Sequence, residues 1–209
     1  MPPLLTDAQI SEARDRIVAV AERMIVEGGA ETLSMHGIAR QMGWTATALY
    51  RYFDSKEAVV AAARVAAYDR LSSRLEAATA GPGDAWARSR AVGDAYLGFA
   101  MDDPYAYRLL FSMSQPDPQR YPDLVAAMQR SRVNLTRYVE QLVEESDLDA
   151  DPVMLAHLLW AGLHGLISLH MAGKTGPDAP SFEQMRREMM RHIFRGARAL
   201  SPSTNQNPE

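Results

Sequence analysis

The most informative pattern in this sequence is the recurrence of apolar residues every three to four positions along most of the chain. This spacing places them on one face of an α-helix, and no segment alternates polar and apolar residues as a half-buried strand does. Thr6 with Gln9 has the form of a capping box, and Gly28-Gly29 ends the helix that follows. The first apolar stripe comprises Ile10, Ala13, Ile17, Val20, Ala21 and Met24. We therefore predict an all-α protein of about nine helices.

Two short helices are predicted after the first one. Ser34 can cap a second helix that ends at Gly43, and Thr45 can cap a third helix that reaches about Tyr52. Two short helices joined by a glycine turn, packed on a longer first helix, form a helix-turn-helix. Residues 1–57 are therefore predicted to be a three-helix DNA-binding domain.

A long fourth helix is predicted to join this domain to a second helical domain. Asp54 opens it, with Glu57 in the capping-box position, so that helix four spans residues 55–80 until Gly81-Pro82-Gly83 breaks it. Residues 81–200 form the predicted second domain, to which ligand binding and dimerisation are assigned on the residues and the resemblance given below, and the polar tail 201–209 is expected to be disordered. The further predicted helices span about 84–102, 104–113, 121–145, 151–171 and 181–200.

Composition narrows the function classes. The chain has 209 residues, a formal net charge of -4 and no cysteine, which excludes disulfides, thiolate metal sites and cysteine nucleophiles. The amino terminus has no basic start followed by an apolar run, so we predict no signal peptide and expect a cytoplasmic protein. The negative net charge argues against indiscriminate coating of nucleic acid or membrane, so any DNA contact must be local.

The segment 33–57 has the chemistry of a groove-reading helix pair. Small and hydroxylated residues (Thr45, Ala46, Thr47) start the third helix, where they permit close approach to base edges. Arg51 and Lys56 suit phosphate oxygens, as do the hydroxyls of the nearby tyrosines. The formal charge of the segment is only +1, so we expect affinity to depend on dimerisation and shape.

Over residues 10–60 this sequence resembles the tetracycline-repressor (TetR) family. The matching motifs are Ile38-Ala39, Gly43-Trp44, Leu49-Tyr50-Arg51-Tyr52-Phe53 and Lys56-Glu57. The resemblance implies DNA contacts from the third helix and its flanks, with two more at the start of the second helix. We combine these implied contacts with the residues whose chemistry suits a DNA groove or a phosphate. The predicted DNA-binding set is Ser34, His36, Thr45, Ala46, Thr47, Tyr50, Arg51, Tyr52 and Lys56.

Bulky residues of the second domain are candidates for an effector pocket. They are Tyr96, Phe99, Tyr107, Phe111, Met113, Trp160 and His164. Methionine and aromatic residues at helical spacing more often belong to a core, so each of them has a structural alternative. The segment Trp160 to Gly165 also resembles the Trp-x-x-x-His-Gly (WHG) signature of one TetR carboxyl-terminal subgroup. His164 either hydrogen-bonds an effector or makes a buried polar contact.

The segment from Val153 to Gly173 carries no formal charge and is long enough to span a membrane. Its three histidines, with Gly162, Gly165 and Ser168, favour a buried or subunit-interface helix. In the resembled family the last two helices build a four-helix dimer interface. This implies interface positions at Leu159, Leu163, Ile167, Met189, Ile193 and Phe194.

The sequence contains no metalloprotease motif, phosphate loop, nucleophile elbow or dinucleotide glycine motif, so we do not expect an enzyme. No histidine spacing demands a metal, and no cofactor is expected. The resemblance predicts a transcriptional regulator, a ligand-responsive repressor that binds a palindromic operator as a homodimer and answers to an unknown small-molecule effector. The alternative is a helical small-molecule-binding protein that lacks specific DNA binding.

Overall fold

The computed structural model describes residues 6–29, 32–111, 116–146 and 148–198. Over these ranges the chain forms nine α-helices, one short 3-10 helix (Pro118–Arg120) and no strand, which confirms the all-α prediction. The expectations for Met113 and for the tail 201–209 lie outside the described residues. The helices are α1 (Asp7–Gly28), α2 (Met35–Met42), α3 (Ala46–Leu49), α4 (Lys56–Thr79), α5 (Ala85–Asp102), α6 (Pro104–Phe111), α7 (Pro122–Glu145), α8 (Pro152–Met171) and α9 (Phe182–Arg198).

Several helices begin where a side chain satisfies the free backbone amides of the first turn. Thr6 and Gln9 form the predicted capping box of α1, and Ser34 and Thr45 cap α2 and α3. The predicted cap of α4 is wrong by one residue, because the Ser55 hydroxyl accepts the Ala58 amide at 3.1 Å.

α3 is also shorter than predicted. It ends at Leu49 rather than near Tyr52, because the Arg51 and Tyr52 amides donate to carbonyls three residues back. Bonds of this kind tighten the chain into a 3-10-like turn, which rotates the last side chains relative to a continued α-helix.

Packing divides the chain into two compact units whose limits fall inside helices. One unit holds the described residues of 1–72 and 99–131, and the other holds those of 73–98 and 132–209. The first unit therefore includes α6 and the start of α7 together with α1, α2 and α3. The domain boundaries at residues 57 and 81, which rest on motifs, stay a prediction.

The first unit has a continuous apolar core. Ile17 and Ala21 of α1, Ile38 of α2 and Leu49 of α3 are each fully buried, and Leu109 of α6 belongs to the same cluster. The burial of each large side chain removes it from water and stabilises the unit by about 1.5–3 kcal/mol. The short α2 and α3 are therefore held by tertiary packing rather than by their own helix propensity.

Arg64 fixes the end of α6 within this unit. Its fully buried side chain donates from Nη2 to the Leu110 carbonyl at 2.7 Å. The last carbonyls of a helix have no partner within the helix, so a guanidinium satisfies this end well. Burial lowers the pKa of Arg64 from its ordinary value. The contact ties α6 to α4 through one hydrogen bond.

In the second unit α8 and α9 pack closely at a glycine. A Cβ added to Gly162 would lie 2.7 Å from Met189 Sδ and 3.5 Å from Ile193 Cδ1, too close for a larger residue without a shift. On the same helix as these two residues, Phe194 meets Trp86 of α5 edge to face, with ring centroids 4.9 Å apart. The two carboxyl-terminal helices are thus joined to the core of their unit.

Candidate functional site

The turn between α2 and α3 depends on one glycine. Gly43 ends α2 in the left-handed conformation, at φ 67, which residues with a side chain rarely adopt. The chain then reverses so that the Trp44 amide donates to the Ala39 carbonyl at 2.8 Å. Thr45 accepts the Ala48 amide at 3.2 Å and starts α3 directly after the turn. The backbone geometry therefore belongs to a helix-turn-helix.

α3 has a buried face and an exposed face. Leu49 is fully buried, and Phe53, just beyond the helix, is 3% exposed. The exposed residues form what we call the outer α3 surface: Thr45, Thr47, Tyr50 and Arg51. Tyr50 is 49% exposed, so its ring and hydroxyl are accessible to a partner. Ala46 lies beside this surface and is half-buried.

Tyr52 is more structural than its neighbours in the predicted DNA-binding set. Its half-buried ring lies 5.6 Å from the Trp44 ring, and its carbonyl accepts Arg14 Nη1 at 2.5 Å. Trp44 in turn lies under the Arg16 guanidinium, which is 5.7 Å from the ring centroid. These contacts link α1 to the end of the helix-turn-helix and orient it.

The remaining predicted DNA contacts lie at helix starts. The Ser34 hydroxyl accepts the Gly37 amide at 3.0 Å, so its own hydrogen is left to donate, and His36 beside it is exposed. Lys56 is the first residue of α4 and is half-buried. α2 sits close to α1, since a Cβ on Gly37 would lie 2.9 Å from Met24 Cε.

The cations of this region have no acidic partner within the described part of the chain. Arg40, Arg51 and Lys56 make no ion pair there, although Asp54 and Glu57 lie nearby in sequence. An unpaired guanidinium or ammonium beside exposed hydroxyls is suited to phosphate oxygens. The outer α3 surface with these cations can therefore bind a polyanion with a groove.

The candidate effector residues fall in two groups. Trp160 Nε1 donates to the Tyr96 hydroxyl at 3.0 Å in the second unit. His164, one turn further along α8, is half-buried, and burial lowers the pKa of its imidazole. Its Nε2 lies 3.4 Å from Ser168 Oγ. Tyr96 is 1% exposed, so its ring is buried, and the group combines aromatic rings with groups that hydrogen-bond, as many small-molecule sites do.

The second group lies in the first unit. The Tyr107 and Phe111 rings are 4.8 Å apart, and Phe99 is fully buried. Tyr107 is also buried, at 2% exposed, so in this structure it acts as a core residue. Among the described residues, no three histidine, cysteine, aspartate or glutamate side chains lie close enough together to hold a metal ion.

α8 has two apolar faces, and the structure corrects part of the predicted interface. Leu159, Leu163 and Ile167 are no more than 5% exposed and pack inside their own unit, so a partner chain has no access to them. The opposite face forms what we call the outer α8 stripe: Met154, Leu158, Ala161, Gly165 and Leu169. Sequence periodicity missed this stripe because both faces of the helix are apolar.

The outer α8 stripe is exposed to solvent in the single chain. Met154, Leu158 and Leu169 are 60%, 50% and 51% exposed. A Cβ on Gly165 would meet nothing within 4 Å, so backbone there is open to close approach. α8 is long and apolar enough to cross a membrane by length and composition. Within the single chain, 28% of its most apolar window is buried. On α9, the predicted interface residues Met189, Ile193 and Phe194 are half-buried within the protomer.

Comparison with known proteins gives matches for both halves of the chain. Residues 17–63 match the family described as bacterial regulatory proteins, tetR family. Residues 89–193 match the tetracyclin repressor-like carboxyl-terminal domain. The HTH-type transcriptional regulator Rv1816 of Mycobacterium tuberculosis is 28% identical over 78% of this chain and 82% of its own length. The curated relatives are regulators of transcription rather than enzymes.

Solved structures show the same fold. The TetR family regulator PfmR from Thermus thermophilus is similar with a TM-score of 0.67 at 22% identity, covering 87% of this chain and 98% of that one. A transcriptional regulator from Saccharomonospora viridis in complex with choline has a TM-score of 0.70 at 24% identity, covering 88% and 96%. Identities this low establish the fold alone.

Proposed function

Because this chain belongs to the TetR family of transcriptional regulators, we propose that it is a ligand-responsive repressor that binds a palindromic operator as a homodimer. The observation that carries the proposal is the outer α3 surface. It exposes hydroxyls and a half-exposed tyrosine on a helix that is anchored from behind by a buried leucine. A rigid helix with a polar, unpartnered face is what insertion in a major groove requires.

Each group of that surface has a proposed task. Thr45 and Thr47 lie at the start of α3, where a hydroxyl reads a base edge and the threonine methyl contacts a thymine methyl. The residues at its end and beyond it bind phosphate oxygens and fix the position of the helix: Tyr50, Arg51, Tyr52 and Lys56. Ser34 and His36 bind the backbone at the start of α2.

Dimerisation is proposed through the outer α8 stripe. The stripe exposes three large apolar side chains, each at least half exposed, along one face of α8, and a soluble protein ordinarily covers an apolar face of this kind. The same stripe on a second chain covers it with two-fold symmetry, as the interface of a homodimer requires. Two recognition helices then read successive major grooves about one turn apart.

Response to a small molecule is proposed through the Tyr96, Trp160 and His164 group. These residues include the Trp-x-x-x-His-Gly positions, so we assign the chain to the subgroup with that signature. The choline complex of the Saccharomonospora viridis protein supports a small-molecule effector in this fold. Effector binding shifts the population of DNA-competent dimers, and the regulator acts in the cytoplasm.

The test of DNA recognition is fluorescence anisotropy of labelled duplexes from the DNA flanking the gene, with unrelated duplex as competitor. We expect saturable binding that survives the competitor, and Tyr50→Ala to weaken it by roughly tenfold or more. The matched control is Tyr105→Ala on α6, since Tyr105 is 51% exposed and lies outside the predicted DNA-binding set. Wild-type protein that binds none of these duplexes even at low salt would favour the alternative, a helical small-molecule binder.

A further inference from the structure

The second unit contains a cavity of about 310 Å³ framed mainly by α5, α8 and α9. No residue of the Tyr96, Trp160 and His164 group lines it. Its volume lies at the lower end of the range of small-molecule sites, about 300–1,000 Å³. It is therefore large enough for a compact organic molecule, and its wall chemistry decides which kind.

The wall of the cavity is largely apolar. Trp86 and Phe194, whose rings meet edge to face, line it together with Leu159 and Leu163. Gly93 of α5 adds no side chain, and a Cβ there would lie 3.8 Å from Leu163 Cδ1, at ordinary contact distance. A flat hydrocarbon body placed here gains apolar contacts and loses exposure to water.

Charged groups also line the cavity, and the acidic ones are already paired. Arg186 binds Asp94 at 2.6 Å and Glu183 at 3.1 Å, so one guanidinium neutralises much of the charge of two carboxylates. Arg90 and Arg187 line the same cavity, are exposed, and make no ion pair in the described part of the chain. Two guanidinium groups are left for an incoming anion.

A cationic ligand is disfavoured by the same wall. The Arg198 guanidinium already lies 5.5 Å from the centroid of the Trp86 ring, so a second cation at this ring would meet a like charge. A quaternary ammonium head in the cavity would also face Arg90 and Arg187. Charge complementarity therefore favours an anion with an apolar body.

We propose that this cavity binds an amphipathic carboxylate. Its apolar body packs against Trp86, Leu163 and Phe194, and its carboxylate binds Arg90 and Arg187. The site goes beyond the proposed operator recognition and does not depend on it, because no DNA-binding residue lines the cavity.

The test is isothermal titration of the full-length protein with 2-naphthoate, compared with 2-naphthamide and with naphthylmethyl-trimethylammonium. The three probes share a ring system and differ in head-group charge. We expect saturable binding of naphthoate with one site per chain, roughly tenfold or more weaker binding of the amide, and no binding of the cation. Equal binding of acid and amide, or preference for the cation, would overturn the proposal.

Two variants locate the site. Arg90→Gln/Arg187→Gln is expected to weaken naphthoate binding by roughly tenfold or more and to leave amide binding unchanged. The control is Arg195→Gln, an exposed arginine of α9 that does not line the cavity. If naphthoate binds the double variant as tightly as it binds the wild type, its site is outside this cavity and the proposal fails.

Gly93→Leu fills the cavity with a side chain and is expected to abolish naphthoate binding. The matched control is Gly98→Leu on the same helix, outside the cavity, where an added Cβ lies 3.9 Å from its nearest neighbour, Arg74 Nη1. Circular dichroism checks that both variants are folded. Binding that persists in folded Gly93→Leu would contradict the assignment.

Discussion

α3 and α8 differ in what they expose, although each buries an apolar face in its own unit. The outer α3 surface exposes hydroxyls, a tyrosine and an arginine, whereas the outer α8 stripe exposes methionine and leucine. A polar outer face stays soluble without a partner and suits a transient, hydrated contact such as DNA. An apolar outer face is costly in water and suits a permanent protein contact. The outer face of a helix therefore indicates its partner, and its inner face indicates only its own core.

The largest expected effect comes from placing charge on the outer α8 stripe. Met154→Glu/Leu158→Glu buries unpaired carboxylates in the proposed interface, and two-fold symmetry doubles their number. We expect the dimer to weaken by roughly 1,000-fold or more, seen as monomers in sedimentation velocity. Val133→Glu, at an exposed valine of α7, is the control and leaves the dimer intact. An unchanged dimer in the double variant would refute the interface.

A second prediction compares leucines from the two helices. Leu49→Ala removes a fully buried side chain and is expected to lower the free energy of unfolding by about 2–5 kcal/mol at any protein concentration. Leu169→Ala truncates a half-exposed side chain and acts only through the dimer, so its effect depends on protein concentration. Urea denaturation of each variant at two protein concentrations distinguishes the two effects. A concentration-independent loss in Leu169→Ala would show that this residue belongs to the core of the protomer.

A third prediction separates stability from DNA recognition at two helix caps. Thr45→Ala and Asp151→Ala each remove an amide acceptor, at the starts of α3 and α8, and each is expected to lower the free energy of unfolding by about 1 kcal/mol. Only Thr45→Ala is expected to weaken operator binding as well. Equal operator affinity in the two variants would remove Thr45 from the DNA-binding set.

The smallest expected effect concerns pH. Burial lowers the pKa of His164, so folding favours its neutral ring. Its contribution is complete above the ordinary pKa, about 6.5, and is lost as pH falls from there through the folded pKa, because the unfolded chain takes up the proton first. Between about pH 8 and pH 5.5 we expect wild type to lose more stability than His164→Gln, whose remaining histidines are the same. If the free energies of unfolding of the two proteins change with pH in parallel, the imidazole of His164 is not desolvated.

The helix-turn-helix could be predicted from the sequence because its signals are local. Ser34, Gly43 and Thr45 act on backbone atoms within a few residues, so each cap and turn is encoded where it occurs. The predicted cap of α4 is misplaced because Asp54 and Ser55 are both residue types that cap helices, and the predicted end of α3 is misplaced because the Arg51 and Tyr52 amides donate to carbonyls three residues back. Which of these hydrogen bonds forms depends on backbone geometry, which the spacing of residues in the sequence does not specify.

The second unit is harder to predict because its decisive contacts are distant in sequence. α8 is apolar all round, so periodicity does not tell its inner leucines from its outer ones. Trp86, Arg90 and Phe194 line one cavity although α5 and α9 are separated by roughly half the chain, and no sequence motif predicts this cavity. The packing of α6 on α1 in the first unit is likewise absent from any local pattern.

The most direct test of the central claim is hydroxyl-radical footprinting of the wild-type dimer on a DNA fragment that it binds in the presence of competitor duplex. The account predicts two related protected patches on one face of the duplex, centred about one helical turn apart, about 34 Å. Arg51→Gln should weaken protection without moving the patches, because a phosphate contact carries no sequence information. A single patch, or uniform protection along the fragment, would contradict recognition of a palindrome by two α3 helices.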